Sequence, residues 1–199
     1  MTKWDSLGHF LDGLLPLSEN QKNRFYSLFT PITMDKNEHL LLAGERTEHL
    51  YFCLSGSFRM YYSTYDGKER IKAFCGADDF ITSYSSLLTG SPSSLSIQAL
   101  QPAKLIQAYY PDFLALTLED PVWERLARLI TEGMYLKKER REMQLLTLSA
   151  EERYACFQQE FGTWEARIPQ YYIASYLGIT PVALSRIRSK NAIRPFSLT

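Results

Sequence analysis

The sequence predicts an α+β protein: an N-terminal antiparallel β-roll, one long helix and a C-terminal helix-turn-helix domain. Three observations carry this. Between residues 39 and 109, short runs of aromatic and β-branched residues alternate with Gly- and Pro-containing turns, the pattern of a small antiparallel barrel or sandwich of roughly 80 residues. From Val122 to about Leu148 there is no further Pro, and Gly133 is the sole Gly. Near the end, "IPQYYIASYLGITPVALSRIRSK" at 168–190 sets two short helical patterns around a single Gly.

Taken in order, residues 5–30 hold Leu7, Phe10, Leu11, Leu14 and Leu15, then Phe25, Leu28 and Phe29, at helical spacing. Ser18 followed by Gln21 forms a capping box that opens the second helix. After Pro31 the texture turns to strand. "HLLLAGE" ends at Gly44 and Glu45, and "HLYFCLSGSFRMYYSTYDGKERIKAF" reads as strand, Ser-Gly-Ser turn, strand, Asp-Gly hairpin, strand. Asp66-Gly67 is expected to make a type I′ turn, in which both central residues need positive φ. "LSIQAL" and "AKLIQAYY" add two strands around Gln101-Pro102, and "PDFLAL" begins a short helix.

Asp120 caps the next helix, with Pro121 at the first position, where no N–H is missed. Leu126, Leu129, Gly133, Leu136, Arg140 and Met143 then recur at steps of three and four. This is a heptad-like seam that Arg140 interrupts. At ~1.5 Å per residue the helix is about 40 Å long, more than a small domain needs for its own core. Leu126, Leu129, Gly133, Leu136 and Met143 are therefore expected to pack across the axis of a homodimer; the alternative is a connecting helix packed on its own domain. Ser149 and Glu152 form another capping box, opening a helix through about Phe161 that Gly162 stops. Domain limits follow: 1–118 for the roll with its N-terminal helices, 119–148 for the long helix and 149–199 for the helix-turn-helix.

Composition excludes several classes. The chain balances 22 Lys/Arg against 22 Asp/Glu. The split is uneven, because residues 1–119 carry 10 basic and 13 acidic groups and residues 120–199 carry 12 and 9, giving −3 and +3. An acidic body with a basic end fits a nucleic-acid partner. Cys53, Cys75 and Cys156 are odd in number and lack metal-ligand spacing, so reduced core thiols are expected. Asp12, Gly13 and Pro16 break the first apolar stretch and no basic segment precedes it, so no secretory leader is expected. No run of about 18 apolar residues exists either. A cytoplasmic protein without a membrane partner is the expectation. His9, His39 and His49 form no His-x-His or His-x-x-x-His pair, and no Gly-x-Ser-x-Gly, P-loop or dinucleotide fingerprint occurs. No catalytic residue, metal or cofactor is expected, which sets the enzyme class aside.

The quoted stretch is where function is legible. With Gln170 as the first position of a helix-turn-helix, Ala174 is the fifth, Gly178 the ninth and Leu184 the fifteenth. A small fifth residue lets two helices cross closely, and Gly at the ninth permits the positive φ of the sharp turn. Ile173, Leu177, Ile179 and Ile187 supply the inward apolar positions. Thr180 caps the second helix ahead of Pro181. Ser185, Arg186, Ser189 and Lys190 lie on its outer face with Arg188 beside them. From Ala166 to Thr199 there is no Asp or Glu. Arg reads guanine bidentately, while Ser, Thr and Lys suit phosphates. Double-stranded DNA is the expected partner, contacted through Gln170, Thr180, Pro181, Val182, Ser185, Arg186, Arg188, Ser189 and Lys190. Arg186 is assigned to a base edge and Arg188 to phosphate.

These segments together identify a resemblance. "LYFCLSGSFRMYY" with "DGKE" and "YYIASYLGITPVALSRIRSK" look like the β-roll signature and the recognition unit of the Crp/Fnr family of bacterial transcription regulators, and the likeness runs from about Leu7 to Arg194. "SLLTGSPSSLSIQAL" resembles the Bacteroidetes-type branch. The resemblance implies a cyclic-nucleotide-binding-like roll, a homodimer, a contact with RNA polymerase and an effector. It also implies departures. Members that bind cyclic AMP hold the ribose with a Glu and the cyclic phosphate with an Arg; Ser83 and Ser93 stand at those places. A neutral Ser leaves a desolvated phosphate charge without a partner, so an effector other than cyclic AMP is expected. Its pocket is assigned to Ser83, Tyr84, Ser85, Ser93 and Ser94, approached by Lys138 or Glu139 from the long helix. No Cys precedes Cys53 to hold an iron–sulfur centre. Pro181 and Val182 replace the family's Arg-Glu, implying an operator unlike the catabolite-activator sequence. The chain ends at Thr199, leaving little room for the family's wing. The rival reading is a ligand-independent DNA-binding or protein-interaction module with a vestigial pocket.

Overall fold

The computed structural model describes residues 3–193; residues 1–2 and 194–199, Arg194 among them, lie outside the described residues. Helix α1 (Lys3–Leu14) buries Leu7 and Leu11. Helix α2 (Glu19–Tyr26) opens on the expected capping box: the Ser18 hydroxyl accepts from the Gln21 N–H at 3.3 Å, and the Gln21 side chain accepts from the Ser18 N–H at 2.9 Å.

Eight strands follow in two antiparallel sheets. One runs in the order β1 (Phe29–Met34), β8 (Ala103–Tyr109), β3 (His49–Ser55), β6 (Phe80–Ile81). The other runs β2 (His39–Leu41), β7 (Ser96–Ala99), β4 (Ser57–Ser63), β5 (Glu69–Gly76). Pro31 is tolerated in β1 because that strand is outermost and pairs with β8 alone. Cys53, Phe58, Met60, Ile81, Ile97 and Leu105 come from both sheets and form one core between them.

Two turns direct the chain through the roll. The Ser-Gly-Ser turn does not fold β4 back onto β3; it hands the chain from one sheet to the other. Gly56 makes this possible with φ +103°, and a Cβ there would lie 2.6 Å from the Ala103 Cβ. Both reasons require Gly. Gly56→Ala should cost more than about 2 kcal/mol, read as a lower denaturant midpoint at constant slope. At Asp66-Gly67, Gly67 has φ +77° while Asp66 does not share the positive region. The Gly67 N–H bonds the Thr64 carbonyl at 2.9 Å and the Thr64 N–H bonds the Lys68 carbonyl at 2.8 Å. This is a three-residue loop closed by a left-handed Gly, not a type I′ turn. The sequence reading also passed over β6 and helix α3 (Tyr84–Thr89), which ends at Gly90 with φ +65°.

After α4 (Tyr110–Thr117) the long helix α5 spans Pro121–Thr147, and the Asp120 carboxylate accepts from the Val122 N–H at 2.9 Å. Its first part is embedded. Trp123, Leu126 and Ile130 are buried with Leu7, Leu11 and Phe25, and Leu129 packs partly against the same cluster. Leu126 therefore belongs to the protomer's own core and has no surface to offer another copy. From Gly133 onward most of the helix is exposed; Met134 and Arg141 are half-buried and Gln144 is buried. Helix α6 (Ala150–Phe161) begins at the Ser149–Glu152 capping box. A 3-10 turn (Glu165–Arg167) leads into α7 (Gln170–Leu177) and α8 (Pro181–Ile193).

The roll and the C-terminal helices meet. Tyr61, Ile71 and Phe74 of the roll share a core with Phe157, Phe161, Ile173, Tyr176 and Leu177. Helix α7 lies on β5, where the Ser175 hydroxyl accepts from the Ile71 N–H at 3.0 Å and donates to the Glu69 carbonyl at 3.2 Å. The Trp164 ring fills the space beside Gly76, where a Cβ would lie 2.0 Å from it.

Candidate nucleic-acid interface

Helices α7 and α8 are joined by the turn that the sequence spacing calls for. Gly178 ends α7 with φ +69°, and the Ile179 N–H bonds the Ala174 carbonyl at 3.0 Å, a left-handed cap open to Gly at little cost. Ala174 is fully buried at the crossing. The Thr180 hydroxyl accepts from the Ala183 N–H at 3.2 Å, and Pro181 begins α8. Leu184 and Ile187 face inward against Tyr154 and Phe157. Pro181, Val182, Ser185, Arg186, Ser189 and Lys190 face outward, with Val182 61% exposed. Gln170 is exposed at the start of α7.

The cations divide. Arg186 is exposed on the outer face. Lys190 pairs with Glu151 at 2.8 Å, but both side chains are more than half exposed, so the pair is cheap to exchange for another anion. Arg188 turns inward. Its guanidinium pairs with Glu165 and its Nε donates to the Tyr154 hydroxyl at 3.1 Å. Burial raises the Glu165 carboxyl, but hydrogen bonds from Tyr154, Arg188 and Gln158 outweigh it and hold the group below its ordinary range. The structure thus places Arg188 in a brace between α8, α6 and the 3-10 turn, away from the outer face assigned to phosphate.

Two further cations escaped the sequence reading. The Arg153 Nε donates to the Leu177 carbonyl at 2.9 Å. Arg141 donates to the Tyr176 carbonyl and lies 3.8 Å from the centroid of that ring. Both satisfy carbonyls at the C-terminus of α7, where the helix dipole favours positive charge. They reach it from α6 and α5, so nothing local in the sequence marks them.

The residues assigned to an effector pocket are dispersed. Ser83 and Ser93 are buried with their hydroxyls 2.9 Å apart, and the Ser93 hydroxyl also lies 2.8 Å from the Leu95 carbonyl. The Tyr84 hydroxyl is 3.3 Å from that of Thr131. Ser85 and Ser94 are at the surface. Lys138 and Glu139 line a separate groove along α5 with Tyr135, Glu142, Met143 and Leu146. The reason is local: the buried hydroxyls satisfy one another and the adjoining backbone, and this stretch of α5 is exposed. Burial pushes the Cys53 thiol up to about 12 and raises Cys75 as well, so neither carries the reactive thiolate at neutral pH. Among the described residues no group of three His, Cys, Asp or Glu could hold a metal, and no helix is long and apolar enough to cross a membrane.

Comparison with known proteins agrees with this geometry. The cyclic nucleotide-binding domain family matches residues 31–120. The chain is 29% identical to the fumarate and nitrate reduction regulatory protein of Vibrio cholerae, over 77% of this chain and 65% of that one. It is 30% identical to the cAMP-activated global transcriptional regulator CRP of Pasteurella multocida, over 41% and 39%. The chain is similar to transcription regulators of the Crp/Fnr kind. The solved structure of FixK2 from Bradyrhizobium japonicum shares its fold, with a TM-score of 0.73 at 22% identity over 86% of this chain and 89% of that one. The chain aligns with less than two thirds of the length of the two curated relatives.

Proposed function

We propose that this protein is a sequence-specific DNA-binding transcriptional regulator that works as a homodimer. The observation that carries the reading is the α7–Gly178–α8 unit, whose outward face presents Val182, Ser185, Arg186, Ser189 and Lys190 from a segment without Asp or Glu after Glu165. A helix of this kind enters the major groove with its N-terminal residues on base edges, and two of them read a palindrome with half-sites about 34 Å apart. In this reading residues 1–118 form the effector-type unit, 119–148 carry the dimer contact and 149–199 bind DNA, in the cytoplasm and in contact with RNA polymerase. Selection from random DNA should yield one palindromic sequence; recovery of unrelated sequences alone would remove the reading.

For the roll, the hydroxyl pair of Ser83 and Ser93 supports an effector other than cyclic AMP, since neither residue can neutralise a phosphate. Calorimetric titration with cyclic AMP should show no site tighter than roughly 100 μM, or about −5.5 kcal/mol. A micromolar site would overturn it. A ligand-independent roll is the second reading, favoured by the dispersal of Ser85, Ser94, Lys138 and Glu139 away from the buried pair. Metabolites that raise the melting temperature would separate the two.

A further inference from the structure

The contact between roll and reading head contains a buried cation that the DNA-binding reading does not use. Arg59 on β4 is 3% exposed. In the plane of its guanidinium, Nε donates to the Gln98 side chain at 2.7 Å and Nη2 to the Glu69 carboxylate at 3.1 Å, with Nη1 on the second Glu69 oxygen. These partners all belong to the roll. Its faces are covered by rings: Cζ lies 4.0 Å from the centroid of Tyr61 and 4.0 Å from that of Tyr172. Tyr61 is in β4, whereas Tyr172 is in α7.

Arg suits this position because a planar guanidinium can have its edge satisfied by carboxylate and amide while its faces stack on aromatic rings. Three residues further along α7, the Ser175 hydroxyl ties the helix to the backbone of Ile71 and Glu69. Lifting α7 would therefore uncover a desolvated charge and two backbone polar groups at once. Docking also leaves the reading face open, since Val182, Ser185, Arg186 and Ser189 remain exposed.

We propose that Arg59 is a clamp: by stacking on Tyr172 it fixes the helix-turn-helix on the roll, so that the roll sets the orientation in which α8 meets DNA. The clamped form is the binding form, because nothing in the dock covers α8's outer face and a fixed head loses less orientational freedom on binding. This rests on the DNA-binding reading above and adds its regulation. Any change that shifts Gln98 or Glu69 on their strands alters the edge contacts of Arg59 and hence the head.

The test uses the full chain with Tyr172→Leu, which removes the outer ring from a partly exposed position, and Arg59→Lys, which keeps the charge and loses the plane. Amide exchange at Ile71 should quicken in both. Affinity should fall about tenfold on every DNA sequence alike, as expected for lost pre-organisation rather than lost base contacts. The double variant should be no weaker than either single, because both break one contact. Exchange at Ile71 unchanged from the parent in the two folded variants would overturn the clamp; a rise in DNA affinity would overturn its assignment to the binding form. Should the parent bind no DNA, the exchange result still decides the clamp, and that failure falls on the DNA reading alone.

Discussion

Leu136→Asp should leave the protein a monomer where the parent is expected to be a dimer of twice 23.0 kDa, and reduce affinity for a palindromic site by about 100-fold or more, since the second half-site is then no longer held at high effective concentration. The argument is one of exposure. Helix α5 buries Trp123, Leu126 and Ile130 in its own protomer, yet beyond Gly133 it leaves Leu136 57%, Met143 46% and Leu146 77% exposed. A stripe of large apolar side chains on the outer half of a long helix is the kind of surface a second copy covers. Because Leu136 contributes little to the protomer's core, the Asp variant should melt within about 0.5 kcal/mol of the parent. Leu129→Asp would be a poorer probe, since Leu129 packs partly against the Leu7 and Phe25 cluster. Sedimentation at micromolar concentration decides the matter; a stable dimer with unaltered DNA binding would remove α5 as the interface.

The second large effect separates readers from anchors on α8. Arg186→Ala should cost about 1–3 kcal/mol per half-site on the best operator and relax preference at one base pair, a guanine. Lys190→Ala should weaken all sequences alike and lower the log–log salt slope by about one unit per contact. Glu151 competes with phosphate for Lys190 at 2.8 Å, but a surface pair is worth about 0–1 kcal/mol and yields to DNA. Arg188→Ala belongs to neither class. It removes the partner of Glu165 inside the brace with Tyr154, so it should destabilise the fold by about 1–3 kcal/mol and leave the salt slope intact. Titrations across salt and sequence, with one thermal melt per variant, read all three. Uniform loss from Arg186→Ala with altered preference from Lys190→Ala would invert the assigned register.

What the sequence made legible is the local chemistry. The boxes at Ser18 and Ser149, the Asp120 cap, the left-handed Gly178 and the Thr180 cap each depend on residues within four positions of one another, and each stands as expected. What stayed hidden depends on distant partners. The outer or inner aim of Arg188 is settled by Tyr154 and Glu165, 34 and 23 residues away. Arg141 and Arg153 find the end of α7 through tertiary packing. The seam on α5 failed at Leu126 because periodicity marks a face but does not say which chain covers it. The Ser hydroxyls were hidden for a similar reason: their spacing in the sequence does not show that Ser83 and Ser93 bond to each other.

The Ser175 hydroxyl on Ile71 and Glu69 reaches beyond regulation. β5 is the last strand of its sheet, so these backbone groups are an open edge that α7 covers, and an uncovered edge is a template for another chain to add a strand. A shortened protein ending before Gln170 would bare it at Glu69 and Ile71 and take Tyr172, Ile173, Tyr176 and Leu177 from the core they share with Tyr61 and Ile71. Glu69, Arg70 and Lys72 on that strand offer some charge against pairing. Such a fragment is expected to self-associate with rising concentration, so α7 also keeps the edge of the roll from aggregating.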